Sequence, residues 1–179
     1  MHRLLPPNAE LLLETKRFRV IRQQRTLADG QTVVRETVQH PGSVVIVPLL
    51  DDGRVCLLRN YRLAVGATLV ELPAGTLDRD EPPAATAARE LAEETGYTAA
   101  RLEPLTELLM SPGILNERMH VFVATGLSPG TPALEPGEEI ETLAVDWDEA
   151  LAMVDDGRIQ DAKTVAAMLL YDRVRQSGR

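Results

Sequence analysis

Glu90, Glu93 and Glu94, in the stretch RELAEETGY (residues 89–97), fall at i, i+3 and i+4. On a helix their carboxylates leave from nearly one face. Like charges at that spacing cost an isolated helix about 0.2–0.5 kcal/mol per pair, and a single arginine, Arg89, stands beside them. Two chemistries fit the pattern: a solvated helix face, or oxygen ligands for a hard cation. Mg2+ and Mn2+ take carboxylates, carbonyls, waters and substrate phosphates in an octahedron, and carboxylates one turn apart can contribute to that set. The turn ELPAGTLDRDE (71–81) precedes them, and Gly75 within it would let the backbone bend and present a carbonyl.

A helix has to carry these glutamates, and EPPAATAARELAEETG (81–96) has the marks of one. Pro82 and Pro83 suit a first turn and Gly96 a stop, while the alanines and Leu91 make an apolar face. Upstream, Arg17–Gln39 reads as a hairpin turning at Asp29-Gly30. After HPG, the runs SVVIVPLL and RVCLLRNYRL are apolar enough for central strands, joined at Asp51-Asp52-Gly53. Strand-like runs follow near 102–109, 120–124 and 140–145, the last two separated by the acidic, Gly/Pro-rich loop GLSPGTPALEPGEE. DEALAMVDDG and DAKTVAAMLLYDRVRQ read as closing helices, the second capped by Asp161. Strands interleaved with few helices imply a mixed sheet covered on its faces, with the first hairpin as an extension.

Composition narrows the classes. With 179 residues, 44% hydrophobic and 26% charged, the chain suits one domain with a real core. No apolar run approaches the roughly 20 residues that span a bilayer. Prolines and acids interrupt the start where a signal peptide needs an unbroken apolar core, so a soluble, cytoplasmic protein is expected. The net charge of -8, without a basic run, argues against nucleic acid as a partner. The lone Cys56 lies in a strand-like run and reads as a core thiol; His2, His40 and His120 lack metal-ligand spacing.

Gly75, five residues, Glu81, seven residues, then Arg89-Glu90-Leu91-x-Glu93-Glu94-x-Gly96-Tyr97 resembles the Nudix box, G-x5-E-x7-R-E-U-x-E-E-x-G-U. Every fixed position matches, although Tyr97 stands where the family more often has an aliphatic residue. The resemblance implies an α+β protein: a Nudix-type α/β/α sandwich with a mixed β-sheet, formed by residues 43–179. Residues 1–42 would be a strand segment exchanged within a homodimer. It further implies that Glu90, Glu93 and Glu94, with the Ala74 carbonyl, ligate Mg2+ or Mn2+. Arg89 would orient the glutamates, Glu81 would support the loop and helix, and the activity would be hydrolysis of a nucleoside diphosphate linked to another group.

Outside the box, MSPGILNER resembles the segment that marks ADP-ribose pyrophosphatases, matching at Ser111, Pro112, Gly113 and Glu117. By the same resemblance Arg62 would contact phosphate and Arg35 would be lent across the dimer. Phe18 is a candidate for stacking on adenine, against a plain packed strand residue. A catalytic glutamate is expected on the loop LEPGEEIET. The spacing does not select among its glutamates, but Glu138 and Glu139 lie where the loop could fold over the metals. The expected reaction takes ADP-ribose to AMP and ribose 5-phosphate. Its rivals are hydrolysis of another substrate, such as GDP-mannose or a dinucleotide polyphosphate, and a non-catalytic nucleotide-binding module.

Overall fold

The computed structural model describes residues 5–134, 137 and 139–178. Three antiparallel strands, β1 (Ala9–Glu14), β2 (Arg19–Thr26) and β3 (Thr32–Gln39), form the first sheet in chain order. The expected hairpin is β2–β3, turned at Asp29-Gly30 with Gly30 at φ 85°. Strand β1 adds to it, pairing from Ala9↔Gln23 to Glu14↔Arg19, so the extension has three strands rather than two.

The second sheet has the order β7-β4-β9-β8, from β4 (Ser43–Pro48), β7 (Ala74–Thr76), β8 (Thr98–Leu109) and β9 (Arg118–Ser128). It is mixed: β4 and β9 run parallel, from Ser43↔Met119 to Pro48↔Ala124, and the other neighbours are antiparallel. The third sheet is antiparallel, with β5 (Arg54–Arg62) between β10 (Ile140–Asp146) and β6 (Ala67–Glu71). Three helices complete the described fold: α1 (Pro83–Thr95), α2 (Trp147–Asp155) and α3 (Ala162–Gln176).

Strand β4 shows why the layers stack as they do. All six of its residues are buried, as a strand covered on both faces requires. Val44 and Ile46 point to one side, where Ala87 and Leu91 of α1 meet them. Val45 and Val47 point to the other, against Val55 and Leu57 of β5 and Trp147, Ala150 and Met168 of the two later helices. The fold is thus an α/β sandwich with a mixed sheet at its centre, as the sequence implied.

The second expected hairpin does not continue as a ladder. Its turn forms, with Gly53 at φ 87° and the Gly53 N–H donating to the Leu50 carbonyl at 2.9 Å. After the single bridge Leu49↔Val55, however, β4 and β5 enter different sheets. Packing explains the divergence: β5 supplies Val55 and Leu57 to cover the face of β4, a role it could not play lying alongside.

Helix α1 starts with Pro83 in its first turn, where no N–H is needed, and ends at Gly96 in the left-handed region, φ 78°. The Asp161 carboxylate caps α3 by accepting from the Thr164 N–H at 3.0 Å. Trp147 stands edge-on to Tyr171 at 5.1 Å and donates to Asp172, tying α2 to α3. Among the described residues no helix is long and apolar enough to cross a membrane.

Candidate active site

The buried stripe of α1 does not stop at its apolar residues. Ala87 and Leu91 are fully buried at i and i+4, and Glu94, three residues on, continues the same stripe at 6% exposure. Its carboxylate reaches under the helix end, where the Ala74 N–H donates to Oε2 at 2.9 Å. Glu90 and Glu93 flank this stripe. Arg89 lies between them, its Nη1 donating to Glu90 Oε1 and to Glu93 Oε2, each at 2.7 Å. Nε and Nη2 of the same guanidinium donate to Glu81 Oε1 at 3.0 Å, and the Thr86 hydroxyl donates to that oxygen at 3.0 Å.

One guanidinium therefore serves three carboxylates. Burial pushes the Glu90 carboxyl above its usual range, against the opposing pull of Arg89, and the charges of Glu93 and Asp78 add to the rise. Gly75 is needed for clearance. A Cβ there would fall 2.1 Å from Glu90 Cδ, and its backbone lies outside the left-handed region, so the close passage of Glu90, rather than a bend, demands glycine.

This donor set fits a hard divalent cation in chemistry: carboxylate oxygens, a backbone segment beside them, and a space at Gly75 that a side chain would fill. Among the described residues no three acidic, His or Cys side chains already converge as a cage. The reason is visible in Arg89, which draws Glu90 and Glu93 to itself.

A second charged cluster lies at the start of α3. Arg62, expected to meet phosphate, is bonded to Glu71: Nε lies 2.9 and 3.1 Å from its two oxygens, and Nη2 also donates to Oε2. Glu71 is 1% exposed. Lys163 Nζ donates to Glu71 Oε2 at 2.7 Å and to Asp161 Oδ2 at 2.8 Å. Burial would raise the Glu71 carboxyl, but Arg62 and Lys163 outweigh it and hold it below its usual range. Bonding to Glu71 raises the Arg62 guanidinium, with Glu94 and Asp161 contributing at longer range. Sequence reasoning passed over Glu71 and Lys163. A carboxylate inside the apolar run ATLVELP was a usable signal for the first; Lys163, 92 positions away, carried none.

The remaining expected site residues are dispersed. Ser111, Pro112 and Gly113 are exposed in the loop between β8 and β9, closed by the Leu115 N–H on the Ser111 carbonyl at 2.8 Å. This loop docks on the end of β3, where the Val38 N–H donates to the Ile114 carbonyl at 2.7 Å. Glu117 is half-buried and accepts from the Ser43 hydroxyl at 2.6 Å, with His40 Nδ1 at 3.8 Å. Arg35 is exposed in mid-β3 and donates to the Val34 carbonyl. Phe18, 38% exposed, follows the β1–β2 turn, its carbonyl held by Thr15. Glu139 borders an open groove with Arg59, Thr68 and Glu141, while Glu138 lies outside the described residues. The acidic loop starts beside the box helix, since the Ala133 N–H donates to the Glu93 carbonyl at 2.8 Å. Burial pushes the Cys56 thiol up to about 11, which suits a core residue and not a nucleophile.

The NUDIX domain model matches residues 39–168, so the chain belongs to the Nudix family, and it is a hydrolase of that family. An ADP-ribose pyrophosphatase of Bacillus subtilis is 40% identical over 144 residues, 79% of this chain and 78% of that protein. A methanol dehydrogenase activator of Bacillus methanolicus matches with the same identity, length and coverage. A GDP-mannose pyrophosphatase of Pectobacterium atrosepticum is 33% identical over 171 residues, 90% of this chain and 82% of that one. The crystal structure of an ADP compounds hydrolase superposes with TM-score 0.84 at 24% identity, over 96% of this chain and 94% of that one, and has the same fold.

Proposed function

We propose that the chain hydrolyses the pyrophosphate of ADP-ribose to AMP and ribose 5-phosphate with the help of Mg2+ or Mn2+. The observation that carries this reading is the surplus of carboxylate around Arg89, with Glu90 passing over the bare backbone of Gly75. Glu90, Glu93, Glu94 and the Ala74 carbonyl would hold the cation. A bound divalent cation supplies charge neutralisation at the pyrophosphate and lowers the pKa of a water. The chain's own side chains do the rest. Arg89 gathers and aims the Glu90 and Glu93 carboxylates, and Arg62, whose fork Glu71 fixes, presents its remaining edge toward phosphate. Ser111, Pro112, Gly113 and Glu117 form a wall for the ribose. Glu138 or Glu139 takes the proton of the attacking water as general base.

The higher identity to an ADP-ribose pyrophosphatase than to a GDP-mannose pyrophosphatase favours the first substrate. A panel of ADP-ribose, GDP-mannose and diadenosine polyphosphates, each with Mg2+, tests the choice by chromatography of the products. A higher kcat/KM on GDP-mannose would sink it. No turnover of any member would favour the non-catalytic module.

Homodimerisation with exchanged N-terminal segments belongs to the same proposal, with residues 1–42 as the exchanged part and 43–179 as the hydrolase domain. The first sheet exposes Leu13 and Val34 on one face and Leu11 on the other, apolar side chains that a second copy would cover while bringing Arg35, and Phe18 for adenine, to the other site. Sedimentation at micromolar concentration should give a dimer; an active monomer would refute it. A cytoplasmic location completes the reading, supported by the lone, buried Cys56 and tested by cell fractionation.

A further inference from the structure

The second charged cluster is placed to act on the first. Four consecutive residues, from 71 to 74, are each held by a different group. The Glu71 carboxylate is held by Arg62 and Lys163. The Leu72 N–H donates to Thr164 Oγ1 at 2.8 Å, and that hydroxyl donates to Asp161 at 2.6 Å. The Pro73 carbonyl accepts from the Ile46 N–H at 2.9 Å, and the Ala74 N–H donates to Glu94. Two of these five anchoring residues, Lys163 and Thr164, come from the first turn of α3.

Lys163 is in a costly place for a cation, because a helix N-terminus carries partial positive charge. Its side chain is nevertheless only 11% exposed, and its ammonium is fixed between two carboxylates. A point charge with three donors can bridge two carboxylates in this way. Without it Glu71 would have Arg62 as its remaining cation partner and could turn toward solvent with it. The 71–74 run would then be free to shift against Glu94.

We propose that Lys163 is a positioning residue for the metal site: acting through Glu71, and alongside Thr164, it sets the Ala74 amide that holds the Glu94 carboxylate. The inference rests on the reading of the α1 glutamates as metal ligands. Its test is Mn2+ binding without substrate, read by the electron paramagnetic resonance of free Mn2+, on Lys163→Met, Lys163→Arg and Thr164→Ala. Lys163→Met should bind Mn2+ about 10-fold more weakly, the usual size for an outer partner of a metal ligand. Thr164→Ala should weaken Mn2+ in the same direction, and Lys163→Arg should recover part of the affinity. A lowered Tm with unchanged Mn2+ affinity in Lys163→Met would overturn the inference, because a merely structural lysine would give that result. Should Lys163→Met fail to fold, Lys163→Gln is judged by the same comparison. Absence of Mn2+ binding in the parent chain would instead overturn the metal reading itself, and this inference with it.

Discussion

Around Arg89, three carboxylates share one guanidinium, with Arg79 no nearer than 4.0 Å to Glu93. Around Glu71, two carboxylates meet two cations, Arg62 and Lys163, and Asp161 completes the count. The two clusters are built from the same residue types but differ in balance. A neutral, buried set holds parts of the chain together, and it fails when one member is removed. A set with surplus negative charge is poor at holding anything and persists where a positive partner is meant to arrive. Charge balance, more than carboxylate number, therefore separates the cluster that fixes the fold from the one that does chemistry.

The sharpest way to break this contrast is Glu94→Gln. Glutamine can still accept from the Ala74 N–H, so Tm should change little, while turnover should fall by orders of magnitude. Full activity at saturating Mg2+ would show that the Glu94 carboxylate, beside the unbalanced set, has no catalytic part. The mirror experiment is Glu71→Leu, which strips Arg62 of its carboxylate and leaves Lys163 with Asp161 alone. Breaking a buried charged set costs about 3–5 kcal/mol, toward the lower end here because Arg62 is 42% exposed. Denaturant titration should report that loss.

Acid distinguishes the same residue. The folded Glu71 carboxyl lies below the ordinary glutamate value of 4.5, so its contribution is complete above that pH and is lost as pH falls through the lower folded value. The stability of a Glu71→Gln variant should accordingly fall less steeply in that acid window than the parent's.

Gly75→Ala comes next. The added Cβ must displace Glu90, and overpacking of this kind costs about 1–3 kcal/mol. Activity should drop about 10- to 100-fold, as when a ligand's support is disturbed, and Tm measured alongside would separate the two losses. The smallest effect is the most telling in sign. In chelator-treated protein Glu90→Gln should raise Tm slightly, since it removes charge from the unbalanced set. Glu71→Gln should lower it. Equal signs would erase the distinction between the clusters.

Much of the first cluster was legible because its parts lie within 23 residues and obey helix spacing: Gly75, Glu81, Arg89 and the glutamates all follow from one linear pattern. The second cluster joins β5, β6 and α3, and no local rule relates Lys163 to Glu71. Strand β1 went unread because AELLLE shows no alternation, and five of its six residues are exposed. The misread hairpin has a similar cause. Asp51-Asp52-Gly53 correctly announced a turn, but turn chemistry says nothing about whether the strands beyond it pair or stack. Arg62 illustrates the limit for single residues: its family position pointed to phosphate, while its nearest partner is a buried carboxylate that only the fold brings close.

The docking of β3 on the β8–β9 loop has a consequence for synthesis. His40 donates its backbone N–H to Asn116 Oδ1 at 2.7 Å, across 76 residues of sequence. The first sheet, formed from neighbouring segments, can assemble as soon as it leaves the ribosome, but the loop that receives it does not yet exist. At about 5–20 residues per second the wait is roughly 4–15 s. Throughout that interval the leucines of β1, exposed even in the folded chain, stand open to other molecules. The nascent chain is then most exposed to wrong partners, and a chaperone that shields short apolar strands would have its longest opportunity.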